Sequence, residues 1–113
     1  MVHEMKLHQR PFDMMASGKK TIELRLHDEK RQRIQIGDTI VFAKTTDTTQ
    51  RLEAVVTALY PFRSFEELYH NLPLEQCGYL PEEVPLASYE DMEAYYSPEE
   101  QERYGVLGIR IKL

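Results

Sequence analysis

Residues Thr21-Ile22-Glu23-Leu24-Arg25-Leu26-His27 alternate polar and apolar side chains without a break. Successive side chains of an extended strand point to opposite faces. This spacing therefore predicts a strand with Ile22, Leu24 and Leu26 in a core and Thr21, Glu23, Arg25 and His27 on a polar face. The same period recurs near the other end, where Ile109 and Ile111 alternate with Arg110 and Lys112. Two such segments predict strands of a sheet.

The rest of the pattern supplies its partners. Glu4–His8 reads as a short strand, and a Gly37-Asp38 turn leads into a second, Thr39–Ala43. The polar run Thr45–Gln50 then turns into Leu52–Phe62, rich in β-prone Val, Thr and Tyr, which predicts a hairpin. Helical signals are short. Pro11 suits the first position of a helix over 11–17, with Gly18 as its left-handed stop. Ser64 with Glu67, and Ser97-Pro98 with Glu100, have capping-box spacing. Tyr89, Met92, Tyr95 and Tyr96 recur at helical spacing within 88–96, while Pro73, Pro81 and Pro85 separate the helices. The expectation is an α+β fold: a small curled sheet or barrel of about five or six strands, with short helices inserted before the last strand.

At 113 residues the chain has the length of one domain, taken as 1–113. The single Cys77 excludes an internal disulfide and a cysteine-built zinc site, and suits a reducing compartment. No run approaches the roughly 18–20 apolar residues of a membrane span, and the opening residues lack the apolar centre of a signal peptide. The expectation is a cytoplasmic protein without a membrane partner. Its four histidines show no metal-ligand spacing, so neither a metal nor another cofactor is expected.

The net charge of −5 is unevenly placed. Residues 1–51 carry 10 Lys and Arg against 7 Asp and Glu, whereas residues 52–113 carry 4 against 12. Overall acidity excludes a generally basic coat for nucleic acid but leaves room for a local cationic site. That site is expected at Gly18-Lys19-Lys20-Thr21-Ile22-Glu23-Leu24-Arg25, where a helix end and a glycine turn bring two ammonium groups to the mouth of a strand. Arg25 offers a planar fork for a phosphate or a base edge, and Glu23, on the same face, can orient it. On an ordinary half-exposed strand these charges would simply be solvated.

The pattern Gly18-x-Lys20-x-x-Glu23-x-Arg25, preceded by Met15-Ala16-Ser17 and followed by Gly37-Asp38-x-Ile40-x-Phe42, resembles the ASCH domain family of the PUA-like superfamily. The tail Tyr95-Tyr96-Ser97 with Tyr104-Gly105-Val106-Leu107-Gly108-Ile109 is similar to members of the same family. The resemblance implies a small PUA-like β-barrel with a cleft beside the opening helix. It also implies that RNA, a nucleotide or a modified nucleoside binds there through Gly18, Lys19, Lys20, Glu23 and Arg25, with Arg10 at the border. One branch of the family hydrolyses 4-acetylcytidine, and others are linked to cleavage of single-stranded RNA. If the chain is an enzyme, the resemblance therefore implies a hydrolase, with Lys20, Glu23 and Glu75 as its catalytic candidates; Glu82 and Glu83 are alternatives to Glu75. The amidohydrolase pattern has Thr where this chain has Glu23, and a carboxylate beside Lys20 favours the ammonium over a neutral base. Binding is thus the leading expectation, hydrolysis the alternative, and docking of a protein partner on the acidic helices a third.

Overall fold

The computed structural model describes residues 1–113, and its element order follows the alternation closely. Strand β1 (Val2–Leu7) leads into helix α1 (Gln9–Ala16), which Gly18 (φ 82°) ends, and the chain continues into β2 (Ile22–Leu26). A hairpin follows, β3 (Thr39–Lys44) with β4 (Asp47–Phe62). Helix α2 (Phe65–Asn71), a series of 3-10 turns and helix α3 (Pro98–Tyr104) come before the last strand, β5 (Val106–Lys112). The strands form one mixed sheet in the order β1-β3-β4-β5-β2, with β1 and β3 parallel and the other pairs antiparallel.

The polar run after Lys44 contributes only a tight turn at Thr45-Thr46, and its remainder belongs to β4. This 16-residue strand pairs with β3 over its first part and with β5 over its second, and its register with β5 shifts between Val56 and Ala58. An extra residue in one strand bends it and increases the local twist. The sheet accordingly curls into a half-barrel, with β1 and β2 as its two edges.

Two side chains reach across the gap between those edges. Arg25 Nη2 donates to the Lys6 carbonyl at 2.6 Å, and Lys30 Nζ donates to the Glu4 carbonyl at 2.8 Å. Glu4 and Lys6 are two apart, so their carbonyls point to the same side of β1, the side away from β3.

Each sheet face has its own core. Phe12 and Met15 of α1 pack into one with Ile40, Phe42, Val56, Leu107 and Ile109. Phe65 and Leu68 of α2 pack against Ile22, Leu24 and Val106 on the other. Residues paired across antiparallel strands share a face. Glu23 pairs with Ile109 and Arg25 with Leu107, so the polar side of β2 faces the core that α1 covers. The expectation of a solvated polar face is corrected here: Glu23 is 4% exposed.

The second correction concerns residues 74–94. The expected helix over 88–96 is a 3-10 turn, Tyr89–Ala94, begun by Ser88 and Asp91 in a capping box. Two further 3-10 turns precede it: Leu74–Cys77 starts after Pro73, and Val84–Leu86 contains Pro85. Ser97 and Glu100 form the capping box expected for α3, with Pro98 in its first turn. No helix is long and apolar enough to cross a membrane.

Candidate functional site

A cleft of about 350 Å³ opens between α1, the ends of β1 and β2, and the segment from Tyr69 to Tyr96. Its floor is a buried charge triad. The Lys20 side chain crosses to the 3-10 segment, where Nζ donates to the Cys77 carbonyl at 3.0 Å and contacts Glu23 Oε1 at 3.1 Å. An ammonium has three N–H donors, so one remains after these two partners. Glu23 Oε1 also accepts from its neighbour's backbone, Leu24 N, at 3.1 Å. Its other oxygen meets Arg25 through Nε at 2.9 Å and Nη2 at 2.8 Å. Two cations thus share one carboxylate, and the floor carries a net positive charge.

Burial on its own would raise the Glu23 pKa; Lys20 and Arg25 outweigh it and hold the carboxyl below its ordinary value. Burial likewise works to lower the Arg25 pKa, and the Glu23 carboxylate and Tyr96 hydroxyl hold it above its ordinary value. The triad is therefore a fixed array of charges and N–H donors. Gly78 supplies the left-handed backbone (φ 114°) that ends the 3-10 turn beside Lys20.

The far wall has different chemistry. Tyr79 donates to Asp91 Oδ2 at 2.8 Å, and its oxygen lies 2.7 Å from that of Tyr69. With the Tyr79 proton committed to Asp91, Tyr69 is the donor in the second bond. Burial raises both phenols, Tyr69 to about 12, so both stay protonated. Aromatic surface stands nearby: the His8 and Tyr95 rings lie 6.3 Å apart, and Tyr95 is 60% exposed. Met14 and Met92 add apolar surface. The cleft offers positive donors on its floor, a carboxylate opposite and rings between, all of which suit a flat polar ligand.

The ASCH domain model matches residues 5–113. The chain belongs to the ASCH domain family. Among solved structures, protein PH0355 is 31% identical with a TM-score of 0.81, over 99% of this chain and 98% of that one. PF0455 from Pyrococcus furiosus is 32% identical with a TM-score of 0.69, covering 99% and 96% of the two chains. ASCH from Zymomonas mobilis, at 16% identity and a TM-score of 0.66, covers 99% of this chain and 67% of that one and shares the fold. A 12.9 kDa protein in the GpA 3′ region of Escherichia phage P2 is 33% identical over 89 residues, which span 76% of this chain and 79% of the phage protein. The half-barrel with short helices is thus the PUA-like fold of the ASCH family.

The ASCH cleft gathers Lys20, Glu23, Arg25 and Arg10 from the expected site residues. It leaves Gly18 and Lys19 exposed on the turn behind Lys20, outside the lining. Gly18 ends α1, and the glycine beside the triad is Gly78. Glu75, on a 3-10 turn, and Glu82, on the turn before Val84, are exposed and outside the lining. Glu83 pairs with Arg10 at the rim. From the acidic half, Asp91 supplies the carboxylate of the lining. Cys77 lines the cleft, but burial pushes its thiol up to about 11 and keeps it protonated. Tyr69, Tyr79, Asp91 and Tyr95 are the functional candidates that the motif does not contain. The only sequence signal for the three tyrosines is their crowding in the second half, and Asp91 is one of the 12 acidic residues there.

Proposed function

We propose that this protein binds RNA or a nucleotide, with one base or nucleoside held in the cleft. The observation that carries this reading is the buried Lys20–Glu23–Arg25 triad facing a wall of tyrosines. Arg25 and the remaining Lys20 N–H supply donors for a base edge or phosphate, Asp91 accepts from an amino group, and Tyr95 provides a stacking face. A cleft of about 350 Å³ lies within the range of small-molecule sites, roughly 300–1,000 Å³.

Binding is favoured over hydrolysis by the lack of an activated nucleophile. Thr21 is committed to Gln76 Oε1 at 3.2 Å outside the cleft lining, and the Cys77 thiol is held protonated. Incubation with 4-acetylcytidine should leave it intact at high protein concentration; conversion to cytidine would replace this reading with the hydrolase.

The direct test is equilibrium binding of nucleoside monophosphates and single-stranded RNA. Hydrogen bonds to charged groups contribute about 1.5–3 kcal/mol, so Arg25→Ala should weaken binding by roughly 10- to 100-fold. The exposed Tyr95, replaced by Ala, should cost roughly 1–3 kcal/mol of stacking without disturbing the fold. Unchanged affinity in both variants would remove the cleft as the binding site.

A further inference from the structure

A second depression, about 430 Å³, lies on the other side of Arg25. Lys6, Arg25, Lys30, Arg31 and Arg51 line it, with Glu4 as the carboxylate among them. Lys6 and Arg25 line the cleft as well, so the two spaces meet across these side chains. The cations come from β1, β2, the turn after β2, and β4. They are far apart in sequence, and the curl of the sheet brings them together.

Much of this charge is not neutralised locally. Arg25 is paired with Glu23 and Arg31 with Asp28, at 2.8 and 2.9 Å. Lys30 donates to the Glu4 carbonyl and Arg51 to the Thr48 carbonyl, neither of them a charged partner. Even counting Glu4, Glu23 and Asp28 against the five cations, the groove keeps an excess of two positive charges on a chain of net charge −5. No aromatic residue lines the groove, so it lacks the stacking surface that a base requires.

We propose that this groove carries the phosphodiester backbone of a single-stranded polynucleotide whose base sits in the adjoining cleft, which rests on the cleft reading above. Arg25, on the ridge between the two spaces, meets the strand where it passes from one to the other. The preferred ligand is then an oligonucleotide rather than a free nucleoside.

The test compares six-residue oligouridylate, oligocytidylate and oligoadenylate with the matching nucleoside monophosphates, across a salt series. The proteins are the parent chain, Lys30→Gln/Arg51→Gln in the groove, and Arg25→Ala at the ridge. Each phosphate contact on a single strand contributes about 0.7 to the salt slope. The groove variant should therefore lose about 1.4 from the slope and about 25-fold in hexamer affinity at 0.1 M salt, the factor such a slope accumulates over one decade of salt. Its affinity for monophosphates should not change. Lys30 and Arg51 are exposed, so matched thermal melts exclude misfolding.

An unchanged hexamer affinity and slope in the groove variant would overturn the proposal. So would hexamers that bind no better than monophosphates, an outcome that leaves the cleft reading intact. Hexamer binding that depends on the groove, with monophosphates unbound and Arg25→Ala silent, would instead remove the cleft reading. Competition by hexaglutamate as effective as that of the oligonucleotides would reassign the groove to an acidic protein segment and overturn the polynucleotide.

Discussion

Glu23 is the residue on which the cleft floor depends. It accepts from Lys20, Leu24 N and Arg25 while 4% exposed. Replacing it with Gln leaves the buried Lys20 and the half-buried Arg25 without a counter-charge, and removing one partner of a buried pair costs about 3–5 kcal/mol. Denaturant unfolding of Glu23→Gln should show a loss of that order, and a loss below about 1 kcal/mol would mean that water, not the triad, solvates these groups. The sequence places Lys20, Glu23 and Arg25 on neighbouring positions but does not specify their surroundings. Period-two alternation separates two faces of a strand without saying which one meets water. On β2 the charged face lies over the core that α1 covers, because the half-barrel folds back there and Arg25 spans its gap to Lys6. The partners across the cleft were not legible for a related reason: the Lys20 contact to Cys77 joins residues 57 apart in sequence.

The elements with strong local signals were readable because their determinants are local. Ser97, Pro98 and Glu100 fix the start of α3 within four residues, and Gly18 fixes the end of α1. The 3-10 turns of 74–94 were less legible, since tyrosines and methionine spaced by three or four suit either helix type and the prolines only set limits. One junction between elements should show in acid. Asp38, at the start of β3, accepts from His3 Nε2 of β1 at 2.8 Å, from Gln35 N at 3.0 Å and from the N-terminus at 3.2 Å. The His3 and Gln35 hydrogen bonds and the N-terminal ammonium lower its pKa from 3.8 to about 2. A carboxyl depressed in the folded state stabilises above its unfolded pKa and loses that contribution as pH falls through the folded value. Asp38→Asn should therefore melt below the parent at pH 6, and the gap should close between about pH 4 and 2. A gap that persists at pH 2 would show that Asp38 acts through packing rather than charge.

At the scale of the whole molecule, β4 joins the two halves of the sheet, and one long excursion of the chain separates it from β5. That excursion, from α2 through the 3-10 turns to α3, forms one wall of the cleft. Residues 79–96 include no fully buried residue: Tyr89, Met92 and Tyr96 pack half-buried against the core around Phe65, and the polar links Tyr79–Tyr69 and Arg10–Glu83 tie the segment to α2 and α1. The strands beneath it instead bury Ile22, Phe42, Val106 and Ile109 completely. Local openings draw on the parts of a fold with few buried apolar contacts and need not wait for global unfolding. Amides of 79–96 should exchange with deuterium well before those of β3, β4 and β5, and exchange at one common rate across all of them would contradict this division. Ligand binding would then slow exchange mainly in the wall, since a molecule that binds only the closed form stabilises it by mass action. The long bent strand thus gives the protein a permanent frame and one panel that can open without dismantling it, so a ligand could enter and leave while the sheet stays folded.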